Sequence, residues 1–165
     1  MIKAYLALGS NLGDRLATLR EARRRLAEAD GIRLLASSGL YETRPVGGPD
    51  GQPPYLNAVL EIDTRLSPAE LLRLTQQIET AGGRVRQERW GARTLDIDLL
   101  FYGVQLCRAP GLEIPHPRLH QRRFVLLPLA DLAPLRVHPQ KNRTVSELLQ
   151  SLPDEGGEAL LARTW

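Results

Sequence analysis

Apolar side chains alternate with polar or small ones in four segments of the chain. In the first of these, Ala4, Leu6 and Leu8 share one face, while Tyr5 and Ala7 share the other. A period of two residues is the pattern of a β-strand. It predicts strands at residues 3–8, 32–41, 55–64 and 95–102.

Helical patterns follow the first and third strands. Asp14 is a predicted helix cap before a stripe of apolar residues at helical spacing. Ser67–Glu70 combine a capping serine, a proline and the glutamate of a capping box. Residues 124–132 are apolar and predicted to be helical despite an internal proline. Thr144–Glu147 form a second capping box and open a short helix near the C-terminus.

The predicted order is βαββαβ followed by a helical tail. This order predicts an α+β fold of the ferredoxin-like type, with an antiparallel sheet, two crossover helices on one face and a helical C-terminal extension. No linker or repeat interrupts the sequence, so residues 1–165 are predicted to form a single domain. Because this topology supports many activities, the function has to be argued from a site.

Composition restricts the classes of protein. No run approaches the 18 apolar residues of a membrane span, and the N-terminus lacks the features of a secretory signal. A single cysteine, Cys107, fits a reducing compartment, so a cytoplasmic location is predicted. The net charge is +3, and 20 of the 22 cationic residues are arginine, whose guanidinium suits phosphate or carboxylate ligands. A global bias in composition explains this excess equally well.

Two carboxylates stand out in the fourth strand. Asp96 and Asp98 leave the same face, with their Cα atoms about 6–7 Å apart because a strand rises ~3.3 Å per residue. Neighbouring carboxylates repel, and a divalent cation offsets that repulsion. Mg²⁺ commonly takes one or two carboxylates together with substrate phosphates. The alternative is a solvated face whose aspartates pair with nearby arginines.

An arginine-rich segment precedes these aspartates. Residues 84–93 contain four arginines and one glutamate, and Gly82, Gly83 and Gly91 give the segment freedom to move. Metal-holding carboxylates beside mobile guanidinium groups match the needs of phosphoryl transfer. A solvated basic loop is the alternative. The four arginines are Arg84, Arg86, Arg89 and Arg93.

The few aromatic residues suggest where a flat ligand binds. Residues 44–54 are predicted to be a long loop, because seven of the eleven are proline or glycine. Tyr55 and Asn57 share a strand face directly after this loop. Asn57 can donate and accept hydrogen bonds at the edge of a polar heterocycle, and Phe124 can stack on it. Alternatively, the aromatic residues belong to the core and Asn57 caps a turn.

Residues 89–100, with the sequence RWGARTLDIDLL, resemble the signature of the hydroxymethyl-dihydropterin pyrophosphokinases of folate biosynthesis. The resemblance covers nearly the whole chain. Further segments that carry it, in matching order, are residues 8–13, 41–43, Pro45, 55–58, 76–79, 83–86, 115–117 and 124–129.

The resemblance implies that the hydroxymethyl group of 6-hydroxymethyl-7,8-dihydropterin attacks the β-phosphorus of ATP and that AMP leaves. It implies two Mg²⁺ ions on Asp96 and Asp98, with Arg84 and Arg93 acting at the phosphates. Asp98 is a candidate acceptor for the hydroxyl proton. The implied ATP contacts are Gln76, Glu79, Arg86, Arg89, His116 and Arg122. The implied pterin contacts are Thr43, Pro45, Val46, Tyr55, Asn57, Trp90 and Phe124.

Two other classes of function agree with parts of the sequence. A basic ferredoxin-like domain can bind single-stranded RNA, but the aromatic motif of RNA-binding modules is absent and the two aspartates repel phosphates unless a metal is bound. A regulatory or scaffold domain without chemistry is the third class. The expected partners are therefore the two substrates, with no nucleic acid, membrane or obligate protein partner.

Overall fold

A computed structural model describes residues 1–45, 48, 50–82 and 94–165 of the chain. The order of strands and helices confirms the predicted βαββαβ core and the α+β class. The elements are β1 (Ile2–Ser10), α1 (Arg15–Glu28), β2 (Ile32–Ser37), β3 (Leu40–Thr43), β4 (Tyr55–Thr64), α2 (Pro68–Ala81), β5 (Asp96–Tyr102), β6 (Cys107–Ala109), β7 (Leu112–Ile114), α3 (Arg123–Leu132), α4 (Val145–Gln150) and β8 (Glu158–Ala162).

Six strands form one antiparallel sheet. Its order is β5-β1-β4-β3-β8, and β2 also pairs with β4. The central strand β1 therefore lies between the third long strand and the last strand of the core, as the ferredoxin-like topology requires. At one end of this sheet β1 and β3 finish while β4 and β5 begin. The short strands β6 and β7 form a separate hairpin.

A separate pair of helices covers each face of the sheet. Leu19 of α1 and Leu71 of α2 pack on the face that carries Leu6, as predicted for the two crossover helices. On the opposite face, α3 and α4 pack through residues such as Leu126 and Leu148. The expected placement of helices on one face holds for α1 and α2 only, because the apolar stripes of the C-terminal helices cover the second face.

The predicted strand at residues 32–41 is interrupted. Ser38 lies between β2 and β3, where its Oγ accepts the backbone N–H of Val59 and its own N–H donates to the Val59 carbonyl, both at 2.8 Å. Gly39 is closely packed, since a Cβ there would lie 2.8 Å from Cδ1 of Leu160 and 3.2 Å from the carbonyl oxygen of Ala162 in β8. The apolar pattern alone does not show this break between β2 and β3.

The C-terminal strand β8 was missed by the sequence analysis, which predicted a helical tail. Two of its side chains, Leu160 and Leu161, are 42% and 52% exposed. The segment therefore shows no alternation of buried and solvated positions, and its pairing with β3 holds it in place. The β6–β7 hairpin was missed as well, because strands of three residues carry too little pattern.

Other local predictions are confirmed. Asp14 caps α1, and the boxes at Ser67 and Thr144 cap α2 and α4 through both reciprocal hydrogen bonds. Helix α3 continues through Pro128. In the described part of the chain, no helix is long and apolar enough to cross a membrane.

His138 gives the fold a predictable pH dependence. Its Nδ1 accepts the N–H groups of Gln140 and Lys141 at 3.1 Å, and its ring packs edge-on against Phe101. Burial lowers its pKa, and the charges of His120 and Lys141 lower it further. An unfolded histidine has a pKa near 6.5, so below about this pH the unfolded chain takes up a proton that the folded chain does not. Stability is therefore expected to fall as the solution is acidified.

The variant His138→Asn tests this account, since Oδ1 of asparagine can accept the same two N–H groups but does not titrate. Between pH 7 and pH 5, urea denaturation is expected to show that the variant loses less unfolding free energy than the wild type. Equal losses in the two proteins contradict the assignment of this pH dependence to His138.

Candidate active site

A cleft of about 550 Å³ opens at the end of the sheet where β4 and β5 begin. Helix α2 and the segment leading into α3 form its remaining walls. Every predicted site residue that the structure describes lines this cleft, namely Thr43, Pro45, Tyr55, Asn57, Gln76, Glu79, Asp96, Asp98, His116, Arg122 and Phe124. The other predicted site residues lie outside the described residues, and they are Val46, Arg84, Arg86, Arg89, Trp90 and Arg93.

The strand register explains why these residues meet. Asp96 and Asn57 are each paired with Gly9, on either side of β1, and Tyr41 is paired with Asn57. Directly opposed residues point to the same face of a sheet. The acidic position and the amide position therefore lie on one face, about 10 Å apart at two strand spacings. Gly9 lies between these two positions and has no side chain, so the floor of the cleft is open there.

The alternation predicted for β5 is confirmed. Ile97 and Leu99 belong to the core beneath α1 and α2, whereas Asp96 and Asp98 face the cleft. The Asp98 side chain keeps 36% of its exposure. The two carboxylates are thus held on one strand, and both line the cleft.

Glu79 holds this strand from the side of α2. It is 4% exposed, and its Oε2 accepts the backbone N–H of Ile97, between the two aspartates, at 2.9 Å. Glu79 is therefore a buried residue of α2 whose carboxylate binds a backbone donor in the neighbouring strand.

His116 and Arg122 flank the aspartates on the opposite wall. Their Nε2 and Nη1 atoms lie 3.9 Å and 4.0 Å from Oδ2 of Asp98. The guanidinium of Arg122 also lies over the ring of Phe124, with its central carbon 5.5 Å from the ring centroid. One arginine therefore borders both the acidic and the aromatic parts of the cleft.

His116 is neutral at physiological pH. Burial and the neighbouring charges of Arg122 and Arg118 lower its pKa to about 4. Its Nδ1 accepts the backbone N–H of Arg118 at 3.1 Å, which places the proton on Nε2. His116 therefore presents a neutral N–H donor, not a cation, on the side of Asp98.

The other half of the cleft is built for a flat polar ligand. Nδ2 of Asn57 donates to Oγ1 of Thr43 at 2.5 Å, and this fixes the orientation of the amide. Asn57 lies inside β4 and does not cap a turn. Tyr55 and Phe124 are only partly buried and line the cleft, and Phe124 also packs against the core beneath α3 and α4.

Several residues of the cleft wall are not predicted from the sequence. Gly9 is one of them, although a glycine inside a strand indicates close approach of another group. No sequence pattern identifies four further cleft residues, because their positions depend on how distant segments pack. They are Arg44, Leu72, Arg118 and Gln121.

Comparison with known proteins identifies the family of this chain. Residues 5–134 match the family of 7,8-dihydro-6-hydroxymethylpterin-pyrophosphokinases. The chain belongs to this family. It is 42% identical over 154 residues to the 2-amino-4-hydroxy-6-hydroxymethyldihydropteridine pyrophosphokinase of Haemophilus influenzae, covering 93% of this chain and 95% of that protein. It is 45% identical over 158 residues to the Pseudomonas aeruginosa pyrophosphokinase of the same name, covering 96% of each.

Solved structures support the same fold. Within the HPPK-DHPS chain of Plasmodium falciparum, crystallised with pterin and p-hydroxybenzoate, the match has a TM-score of 0.73 at 16% identity. It covers 96% of this chain and 46% of that one, so this pyrophosphokinase spans less than half of the parasite chain. The ferredoxin-like fold expected of a pyrophosphokinase is confirmed.

Proposed function

We propose that this cleft is the active site of the chain's pyrophosphokinase reaction. The chain is a diphosphotransferase of folate biosynthesis, which transfers pyrophosphate from ATP to the hydroxymethyl group of 6-hydroxymethyl-7,8-dihydropterin. The observation that carries the assignment of the site is that two strand-borne carboxylates and a polar, aromatic pocket open into one cleft. In this arrangement a triphosphate can bind at the carboxylates while a heterocycle binds in the adjacent polar, aromatic pocket.

The carboxylate pair fits magnesium. Asp96 and Asp98 offer hard oxygen ligands on one face, and no cluster of three or more metal-ligating side chains occurs among the residues described. Mg²⁺ characteristically uses so few protein ligands, because it retains waters and binds substrate phosphates. We assign two Mg²⁺ ions to these carboxylates, where they would neutralise charge on the triphosphate.

The surrounding side chains orient the phosphates. Arg122 supplies a permanent positive charge, and the neutral Nε2–H of His116 supplies a directional donor. Gln76 lies on the α2 wall, where its amide is available to the nucleotide. The expected contributions of Arg84, Arg86, Arg89 and Arg93 remain predictions from the sequence.

The transfer itself requires three changes at the reacting atoms. The hydroxymethyl oxygen forms a bond to the β-phosphorus, the bond between that phosphorus and the oxygen bridging to the α-phosphate breaks, and AMP leaves with the bonding electron pair. The hydroxyl proton is released in this step. We assign its acceptance to the carboxylate of Asp98, which is partly exposed in the cleft.

The pterin is assigned to the side of the cleft that holds Asn57 and Phe124. The Asn57 amide is available to the polar edge of the ring, and Phe124 provides a stacking face. Thr43, Pro45 and Tyr55 complete this side of the pocket. The assignments of Val46 and Trp90 rest on the sequence alone.

Gly9→Ala is expected to weaken pterin binding selectively. A Cβ at this position would lie 3.1 Å from Oδ1 of Asn57 and 3.5 Å from Cδ1 of Tyr55, so the amide must shift. The KM for the pterin is expected to rise about tenfold while the KM for ATP changes less than about twofold. Gly13→Ala is the comparison variant. Its added Cβ would meet no atom within 4 Å, so any effect comes from the positive φ of Gly13 and not from crowding of the cleft. If Gly9→Ala keeps the wild-type KM for the pterin, Gly9 does not form part of the floor of the pterin site.

Incubation of the chain with ATP, Mg²⁺ and 6-hydroxymethyl-7,8-dihydropterin tests the reaction. AMP and the pterin pyrophosphate are expected in equal amounts, and omission of Mg²⁺ is expected to abolish both. Production of ADP, or of no product, contradicts the proposed reaction. The same experiment in the presence of single-stranded RNA is expected to show no inhibition, because we expect that nucleic acid is not a partner of this chain.

We also propose a cytoplasmic location.

A further inference from the structure

The C-terminal strand β8 touches the wall of the cleft formed by β3. Glu158 is paired with Thr43 in the ladder between the two strands. The next residue of the wall, Arg44, donates from its backbone N–H to the Gly157 carbonyl at 3.1 Å and from Nη2 to the Glu155 carbonyl at 3.2 Å. The segment before β8 therefore lies along the strand end that carries part of the pterin pocket.

The same segment also contacts the first turn of α3. Nε of Arg123 donates to Oε2 of Glu158 at 3.3 Å, and its Nη2 lies 3.4 Å from Oδ2 of Asp154. Arg123 and Glu158 keep only 21% and 14% of their side-chain exposure, so solvent screens this pair less than a surface ion pair. Arg123 directly precedes Phe124, which faces the pterin position.

Helix α3 needs this support at its first turn. Helices α1, α2 and α4 each begin with a side-chain cap, whereas α3 has none. It begins instead with two arginines, Arg122 and Arg123, at the positive end of the helix dipole, where cations are unfavourable. The carboxylates of Glu158 and Asp154 offset that charge.

We propose that Arg123 and Glu158 are positioning residues that fix the spacing between the two walls of the pterin pocket. One member of the pair is in register with Thr43, and the other is adjacent to Phe124. A planar ring bound between these walls is sensitive to small changes in their separation. This inference rests on the proposed function, because it takes the pterin site as assigned above.

Single and double glutamine variants test the pair. Arg123→Gln and Glu158→Gln are each expected to raise the KM for the pterin on the order of fivefold, with the KM for ATP within about twofold of wild type. The double variant is expected to match Arg123→Gln, since that variant already loses the contacts of Arg123 with both Glu158 and Asp154. Arg123→Lys, which keeps the charge, is expected to restore part of the affinity. Asp63→Asn is the control, because it removes an ion pair of 2.6 Å with Arg33 at the far end of the sheet.

The inference is overturned if the glutamine variants keep the wild-type pterin KM. It is also overturned if the KM values for both substrates rise together as the melting temperature falls, which is the mark of a purely structural pair. These results are distinct from a failure of the proposed function. In that case the wild-type chain itself forms no AMP, and the inference fails with it.

Discussion

Replacing Asp98 by alanine is expected to lower kcat by about a thousandfold while the protein stays folded. The side chain is partly exposed in the cleft and faces away from the core formed by Ile97 and Leu99, so its removal leaves packing intact. The loss removes one of the two carboxylates assigned to magnesium and the assigned proton acceptor. Steady-state AMP formation at saturating substrates measures the effect, and circular dichroism and thermal melting verify the fold.

Asp63→Ala is the matched control for Asp98→Ala. Asp63 is also a strand aspartate, but it lies at the far end of β4, paired with Arg33. Its removal is expected to leave kcat within about twofold of wild type, since single exposed ion pairs contribute little. Near-wild-type turnover in Asp98→Ala contradicts the assigned role of the acidic pair.

Replacing Glu79 by alanine is expected to weaken both the fold and the chemistry. The N–H of Ile97 loses its buried acceptor, which costs about 1–3 kcal/mol of unfolding free energy. Because Ile97 lies between Asp96 and Asp98, displacement of this strand also misplaces the carboxylates. A decrease in kcat of about tenfold or more is expected. Urea denaturation and AMP formation measure the two effects.

Glu79→Gln separates positioning from nucleotide contact. Glutamine keeps an oxygen acceptor for Ile97, so this variant is expected to retain more stability and a higher kcat than the alanine variant. Glu28→Ala, which removes an exposed glutamate of α1, is the control for a lost surface carboxylate. If Glu79 acts only as an ATP contact, Glu79→Ala instead raises the KM for ATP and leaves stability unchanged.

Short-range patterns were sufficient to predict the core elements. The alternation around Leu6 and the capping box at Ser67 are set by neighbouring residues, so they can be read without a structure. Asp96 and Asp98 could be assigned to one face for the same reason. The features that could not be predicted depend on distant segments, such as the close packing of Gly39 against Leu160 of β8.

The site shows the same division. The family signature identified residues that line one cleft in the structure, but the interactions of these residues depend on the fold. Glu79 is an example, since only the packing of α2 against β5 reveals its bond to Ile97. The link between Arg123 and Glu158 spans 35 positions and required a strand that the apolar pattern does not show.

The most direct test of the account is calorimetric titration of Mg²⁺ into the protein with a nonhydrolysable ATP analogue present. Wild type is expected to bind the ion and the analogue together, and Asp96→Asn and Asp98→Asn are each expected to lose most of that binding. The reference is a titration of Mg²⁺ into the analogue without protein. If all three proteins bind magnesium equally strongly relative to that reference, the result contradicts the claim that these two carboxylates hold the metal at the triphosphate.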